Sequence, residues 1–209
     1  MRAMTMRPQL DGRARRAERS RDAIVRALFE LIGEGDPQPT AQQVAQRAQV
    51  GLRSVFRHFA DMDTLYAELG ARVQEEARPL LREPPTAGSV AERALVIVAQ
   101  RSAYYEVITH YKRAGDLGRR RSPFLQRQHA RLVRELRDRL LRALPELERV
   151  PESVIEALDV VLSFEAWDRL RTDQRLSRER ATAAVETAVL ALVAELPRAA
   201  PQKGKGRKR

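Results

Sequence analysis

Apolar residues recur every three to four positions along most of the chain, which is the spacing of one face of an α-helix. The first such stripe consists of Ile24, Val25, Leu28, Phe29 and Ile32. Strict alternation of apolar and polar residues is not sustained anywhere, and no Asn-Gly or Asp-Gly turn joins two apolar runs. The pattern therefore predicts an all-α protein.

Two short helices follow the first predicted helix, which covers residues 13–32. Thr40 and Gln43 form a capping box that opens a helix over residues 41–48. After a tight turn, a third helix is predicted over residues 52–59. Two short helices behind a supporting first helix have the arrangement of a helix-turn-helix.

The third predicted helix has one apolar face and one polar face. Val55 and Phe59 fall on the apolar face, which would anchor the helix on the two helices before it. The polar face would be left exposed and consists of Arg53, Ser54, Arg57 and His58. Arginine can donate two hydrogen bonds to guanine, and serine and histidine can bond phosphate oxygens. This pattern is typical of a helix that enters the major groove of duplex DNA.

The rest of the chain predicts a body of longer helices, over about residues 61–79, 89–98, 103–117, 123–144, 152–171 and 178–196. The last of them is apolar over much of its circumference and is rich in alanine and valine, so it can approach two partners closely. Its wide face fits a homodimer interface and fits an intramolecular core equally well.

Excess positive charge lies at the two ends of the chain. The net charge is +11: residues 1–58 have 11 arginines against six acidic residues, residues 198–209 have six basic residues and no acid, and the middle is neutral. This distribution favours a polyanionic partner, with nucleic acid first, although basic ends also serve solubility alone.

Catalytic signatures are missing from the sequence. There is no cysteine, which excludes disulfides and thiolate chemistry, and there is no phosphate-binding glycine loop, metal-ligand cluster or nucleophile elbow. We therefore expect a protein that is not an enzyme and that has no cofactor and no metal site. No apolar run is long enough to span a bilayer, and the basic start is not followed by an apolar segment, so we expect a soluble, cytoplasmic protein without a membrane partner.

Three other functions remain open at this point: a helical enzyme without a recognisable motif, an RNA-binding protein and a membrane-surface protein. Aromatic residues make up only 5% of the chain, which argues against base stacking on RNA. No predicted helix pairs a basic face with bulky exposed apolar residues, as membrane-surface helices do.

The stretch VAQRAQVGLRSVFRHF over residues 44–59, followed by Leu65, resembles the helix-turn-helix signature of TetR-family repressors. It lies at the expected distance from the N-terminus, behind the expected first helix. A second segment, FEAWDRLRTDQ over residues 164–174, is similar to the eighth helix of many members.

The resemblance implies a helical homodimer that binds a palindromic operator in double-stranded DNA and pairs through its last two long helices. It also implies a repressor that a small apolar or aromatic effector releases from the operator. The domains would be a disordered basic arm over residues 1–12, a DNA-binding domain over 13–62, an effector-binding and dimerisation domain over 63–197, and a disordered basic tail over 198–209.

The predicted DNA-binding residues include the capping box and most of the reading helix: Thr40, Gln43, Leu52, Arg53, Ser54, Phe56, Arg57 and His58. The aromatic residues of the C-terminal part are candidates for an effector pocket and would serve equally well as ordinary core residues. They are Tyr104, Tyr105, Tyr111, Phe124 and Trp167.

Several positions depart from the family pattern. Gln49 stands where the turn usually has glycine, and a positive φ there would cost about 1 kcal/mol. Phe56, which we expect to be partly buried, replaces a phosphate-binding tyrosine, and Met62 replaces a lysine, so two phosphate contacts are weakened. We hypothesise that the basic tail and the arginines at the start of the chain compensate, namely Arg13, Arg15, Arg16 and Arg19.

Overall fold

Helices supply all the regular structure in the described part of the chain, which is residues 12–194 and Leu196 of a computed structural model. Most of the predicted arm, all of the predicted tail and the side chain of Arg13 lie outside the described residues. The prediction of an all-α protein is confirmed.

The helices within the described residues are α1 (Gly12–Gly33), α2 (Ala41–Arg47), α3 (Leu52–His58), α4 (Met62–Ala77), α5 (Val90–Arg119), α6 (Pro123–Ala143), α7 (Glu152–Val161), α8 (Phe164–Asp168) and α9 (Arg178–Val193). Two short 3-10 helices, Arg78–Leu80 and Pro145–Arg149, and a π-helical turn, Arg169–Asp173, complete the regular elements. No helix in this part of the chain is long and apolar enough to cross a lipid bilayer.

The chain divides into two compact units. We call Met1–Glu76 with His110–Gln128 the head, and Ala77–Thr109 with His129–Arg209 the body. The head contains the helix-turn-helix, and the body contains α7, α8 and α9.

The core of the head follows the apolar stripe predicted for α1. Ile24, Leu28 and Ile32 are buried, whereas Phe29 remains about one-third exposed. The ring of Phe29 stacks on that of Tyr111, with 4.6 Å between the ring centroids. A stacked aromatic pair within the head therefore covers one edge of the apolar stripe of α1.

The long helix α5 begins with a capping box formed by Ser89 and Glu92. Ser89 Oγ accepts a hydrogen bond from the Glu92 amide at 3.2 Å, and the Glu92 carboxylate accepts one from the Ser89 amide at 2.7 Å. The two shorter helices predicted over residues 89–117 are one continuous helix. No proline or glycine separates them, so the backbone has no reason to stop.

A single helix over residues 152–171 was the wrong prediction. α7 ends at Val161, and Ser163 has an extended backbone conformation and caps α8 by accepting a hydrogen bond from the Ala166 amide at 3.1 Å. The carbonyl of Leu162, at the junction, accepts hydrogen bonds from Arg101 and Tyr105, both at 2.9 Å. Contacts with α5, which is distant in sequence, thus stabilise a break between α7 and α8 that the apolar periodicity does not predict.

Candidate nucleic-acid interface

The start of α2 is fixed by the predicted capping box. Thr40 Oγ1 accepts from the Gln43 amide at 3.2 Å, and Gln43 Oε1 accepts from the Thr40 amide at 2.8 Å. Gln43 Nε2 also donates to the Asp36 carboxylate at 3.0 Å. Thr40 and Gln43 are both exposed, but much of their hydrogen-bonding capacity is already engaged in the cap.

The turn between α2 and α3 is a Schellman motif, in which two amides beyond a helix end bond back to its last turn. The amide of Gln49 donates to the Gln46 carbonyl at 3.1 Å, and that of Val50 donates to the Ala45 carbonyl at 3.0 Å. This geometry requires a left-handed backbone, and Gln49 has a φ of 55°. The strain that the sequence predicted for a non-glycine residue at this position is therefore present.

The helix α3 is anchored by the two predicted apolar residues, because Val55 and Phe59 are both buried. Its outward face contains Leu52, which is 43% exposed, and Phe56, which is 48% exposed. Phe56 is thus about half buried, and its ring shares the outward face with Leu52, one helical turn earlier.

Two arginines extend from α3 into solvent. Arg53 is exposed and forms no hydrogen bond or ion pair with any described residue, and Arg57 donates only to Ser54 Oγ, at 3.2 Å. Ser54 itself is half-buried. The guanidinium groups of α3 are therefore available to an external acceptor.

His58, at the end of α3, differs from the prediction of an exposed imidazole. It is half-buried, and its Nε2 atom is inaccessible to solvent and has no hydrogen-bond partner. Burial lowers the pKa of His58, and the positive charges of Arg57 and Arg21 lower it further. The imidazole is therefore neutral at pH 7, and its Nε2 is not presented to a phosphate.

α1 positions the end of α3 through Arg21. The guanidinium donates to the carbonyl of His58 at 3.4 Å and lies 4.7 Å from the centre of the Phe59 ring. It also pairs with Glu68 of α4 at 2.8 Å. Although burial opposes the effect, hydrogen bonds from Arg21 and Arg72 keep the pKa of Glu68 below its usual value. The sequence pattern does not indicate this role of Arg21, because its partners lie on other helices.

A second ion pair joins α2 to the loop after α1. Arg47 donates to both oxygens of Glu34, at 2.8 and 2.7 Å, and its hydrogen bond lowers the pKa of that carboxyl. Glu30 lies 3.5 Å from the same guanidinium. Arg47 therefore joins α2 to other elements of the head and does not contribute to the outward face of α3.

The arginines at the start of α1 are helical and exposed. Arg16 and Arg19 each donate through Nε to the carbonyl four residues earlier, and Arg15 is also exposed. None of the three forms an ion pair with a described carboxylate. They belong to the first turns of α1.

The predicted pocket residues fall into both units. Tyr104, Tyr105 and Trp167 are buried in the body, where Tyr105 and Trp167 line one small cavity and the rings of Tyr104 and Tyr105 lie 5.9 Å apart. Tyr111 and Phe124 belong to the head, and Phe124 is largely exposed. No group of three His, Cys, Asp or Glu side chains among the described residues is arranged to hold a metal ion.

No protein-family model matches the chain. The HTH-type transcriptional regulator TcmR from Streptomyces glaucescens is 32% identical to it over 91 residues, which cover 40% of this chain and 40% of TcmR. The chain thus matches less than half the length of that curated relative.

Two solved structures are similar over most of the chain. A transcriptional regulator from Rhodococcus sp. RHA1 is 19% identical, with a TM-score of 0.63, and the match covers 86% of this chain and 97% of that one. A TetR transcriptional regulator from the same organism is 17% identical, with a TM-score of 0.49 and coverage of 88% and 99%. In its helix-turn-helix and its helical body, this protein has the all-α fold of the first of these transcriptional regulators.

Proposed function

We propose that the protein is a transcriptional regulator that reads a palindromic operator in double-stranded DNA as a homodimer. The observation that carries the proposal is the outward face of α3, where Arg53 and Arg57 lack acidic partners among the described residues. In the same head, Arg21, Arg47 and Arg72 are all paired with carboxylates. The two arginines of α3 thus keep their charge free for an external anion, whereas these three are engaged within the head.

The acidic residues that follow α3 do not neutralise its face by direct contact. Asp61 accepts hydrogen bonds from the amide and hydroxyl of Thr64, both at 2.7 Å, and so caps the start of α4. These bonds hold the pKa of Asp61 below its usual value. The carboxylate is committed to the helix start, which leaves the arginines of α3 to an external anion.

We propose that other residues make the phosphate contacts that are usual in the family. Phe56 has no hydroxyl, and His58 has no accessible Nε2. The exposed arginines at the start of α1 take their place, because a guanidinium binds phosphate well and is always charged. The basic tail adds further attraction to the DNA backbone.

We assign dimerisation to the last helices of the body. The exposed face of α9 is built from small and apolar residues: Ala183, Ala184, Thr187, Leu190 and Ala191. Val160 of α7 is 67% exposed. Small side chains permit close helix contact with a second copy, and two-fold symmetry then places two copies of α3 on one palindrome.

We also propose that a small molecule regulates DNA binding. Residues 13–62 form the DNA-binding domain, and residues 63–197 bind an effector and dimerise. A small molecule that binds the body releases the repressor from its operator, because a ligand that favours the DNA-free state must weaken DNA binding by the same factor.

The test is selection of random duplex DNA by the purified full-length protein at physiological salt with excess competitor DNA. We expect a pseudo-palindrome whose half-sites are one or more helical turns apart. Salt-sensitive binding to all DNA without a motif contradicts the proposal. Tighter binding to RNA or to anionic vesicles favours one of the other functions.

The variant Arg53→Ala tests whether α3 reads the selected sequence. We expect it to relax the preference for one base pair in each half-site and to weaken binding by about 1–3 kcal/mol. Arg131→Ala removes the same charge from an exposed position in the body and serves as the matched control. Full sequence preference in Arg53→Ala excludes this residue as a reader of bases.

A further inference from the structure

The turn between α5 and α6 has a concentration of positive charge outside the helix-turn-helix. The head segment His110–Gln128 contains six basic residues and one acidic residue, Asp116. Asp116 is already engaged, because Lys112 pairs with it at 2.5 Å and Arg119 at 3.5 Å. The segment has no other acid to balance its remaining positive charge, so an external anion is the natural partner.

Three arginines of this segment extend into solvent. Arg120, Arg121 and Arg127 are exposed, and their side chains form no hydrogen bond or ion pair with a described residue. The guanidinium of Arg127 lies 5.9 Å from the centre of the Phe124 ring. Phe124 is 46% exposed, and Leu117, just before the turn, is 52% exposed. We call Arg120, Arg121, Phe124 and Arg127 the α5–α6 surface.

The backbone under the α5–α6 surface is fixed by hydrogen bonds and close packing. The amide of Arg121 donates to the Gly118 carbonyl at 3.0 Å. Across the turn, Gln126 Nε2 donates to the Arg119 carbonyl at 3.1 Å. A Cβ atom at Gly118 would lie only 2.9 Å from Leu125 Cδ1, so the two helices approach closely here. A turn that is already ordered lowers the conformational cost of binding a partner.

The α5–α6 surface combines charge with an exposed ring, and this combination favours a protein partner over a nucleic acid. Guanidinium groups without a partner bind carboxylates in a planar geometry and are always charged. Phosphates would satisfy the arginines but would leave the ring of Phe124 in water, whereas a peptide can place an apolar side chain against it. Arginine and aromatic residues are both enriched where proteins contact proteins.

We propose that the α5–α6 surface binds an acidic segment of a partner protein. Carboxylates of the segment pair with Arg120 and Arg121, and an apolar side chain packs against Phe124 beside the guanidinium of Arg127. The contact does not depend on DNA reading by α3. On an operator it would bring a second protein to the DNA, and that consequence alone rests on the proposed function.

The test measures fluorescence anisotropy of a labelled peptide with the full-length protein in the absence of DNA. The peptide has about 12 residues, with two leucines one helical turn apart among glutamates and alanines. Two matched peptides replace every glutamate by glutamine or both leucines by serine. We expect the first peptide to bind with saturation and both matched peptides to bind more weakly. The proposal is overturned if either matched peptide binds as tightly as the first.

The double variant Arg120→Gln with Arg121→Gln locates the binding site. We expect it to weaken peptide binding by roughly tenfold, because two exposed ion pairs are lost. The matched control is Arg131→Gln with Arg134→Gln, which removes two exposed arginines of α6 beyond the surface and should change the affinity by less than about twofold. Equal effects of the two double variants overturn the assignment, because they would show attraction to net charge alone.

The variant Phe124→Ser tests the apolar part of the contact. It should weaken binding of the leucine peptide by about fivefold and leave binding of the serine peptide unchanged. All the substituted side chains are exposed, and thermal unfolding checks that each variant folds. An equal loss for both peptides would remove Phe124 from the proposed contact.

Other occupants of the surface would give different results. Random duplex DNA or anionic vesicles that lose as much affinity as the peptide in Arg120→Gln with Arg121→Gln would assign the surface to phosphate and overturn the proposal. A dimer that dissociates in this variant would assign it to a second copy, with the same consequence. Arg53→Ala should keep the full peptide affinity. If DNA selection yields no motif, the proposed function fails, and peptide binding still decides the present inference.

Discussion

The guanidinium of Arg21 donates to the backbone carbonyl of His58 at 3.4 Å and thereby joins the middle of α1 to the last residue of α3. The carbonyls at a helix end have no partner within the helix, and a cation near them is stabilising. Arg21 thus fixes where α3 ends relative to α1.

We expect Arg21→Met to lower the free energy of unfolding by about 1–2 kcal/mol, because the His58 carbonyl and Glu68 both lose a partly exposed cationic partner. Urea denaturation measures this change. The control is Arg26→Met, an exposed arginine of the same helix without a described partner, for which the expected change is within about 0.5 kcal/mol. Equal effects of the two variants contradict a positioning role for Arg21.

Gln49→Gly should stabilise the protein by up to about 1 kcal/mol, because it relieves the left-handed strain at the turn between α2 and α3. The matched control is Gln46→Gly, three residues earlier inside α2, which should destabilise by about 1 kcal/mol. Thermal or urea unfolding separates the two. A destabilised Gln49→Gly variant would show that the glutamine side chain outweighs the backbone strain.

Leu52 and Phe56 form an exposed apolar pair that we expect to contact thymine methyl groups in the major groove. The test uses the operator recovered by selection and replaces each thymine in turn by deoxyuridine, which removes only the methyl group. Removal of a contacted methyl should weaken binding by about 0.8 kcal/mol, or roughly fourfold.

Phe56→Ala completes this test as a double-mutant cycle. In the variant, the thymine under Phe56 should no longer be sensitive to loss of its methyl group, while other contacted thymines stay sensitive. Val133→Ala, which truncates an exposed apolar residue of the body, should leave every sensitivity unchanged. If the methyl effects persist in Phe56→Ala, the ring has another role.

Stability should decrease on acidification through His58. Its pKa in the folded protein is below the usual imidazole value of about 6.5, mainly because of burial, so the unfolded chain takes up the proton first as the pH falls. The contribution of His58 is therefore fully present above about pH 6.5 and is lost below it.

His58→Gln should remove that pH dependence, because glutamine does not titrate. We would measure urea unfolding at several values between pH 5 and pH 8. His110→Gln, an exposed histidine of the head, is the control and should behave as the unaltered protein does. A wild-type slope in His58→Gln would assign the pH dependence to other groups.

Features that depend on neighbouring residues could be predicted from the sequence. The capping boxes at Thr40 and Ser89 require residues three positions apart, and the burial of Val55 and Phe59 follows from helical spacing. The left-handed turn at Gln49 could also be expected, because the resemblance aligned it with a usual glycine.

Features held by distant partners could not be predicted. The break after α7 depends on Arg101, 61 residues away from Leu162, and nothing in the apolar periodicity indicates it. The position of Arg21 under α3 depends on contacts across 37 and 47 residues. The burial of His58 Nε2 also depends on that packing. The spacing within α3 contains no information about it and therefore predicted an exposed imidazole.

The unpaired arginines of α3 have a further consequence for the free protein. Arg53 and Arg57 are one helical turn apart, where two like charges repel each other, and neither pairs with a described acid. Added salt screens this repulsion and should make the DNA-free protein more stable. The same salt weakens attraction to DNA, so ionic strength should act in opposite directions on folding and on operator binding.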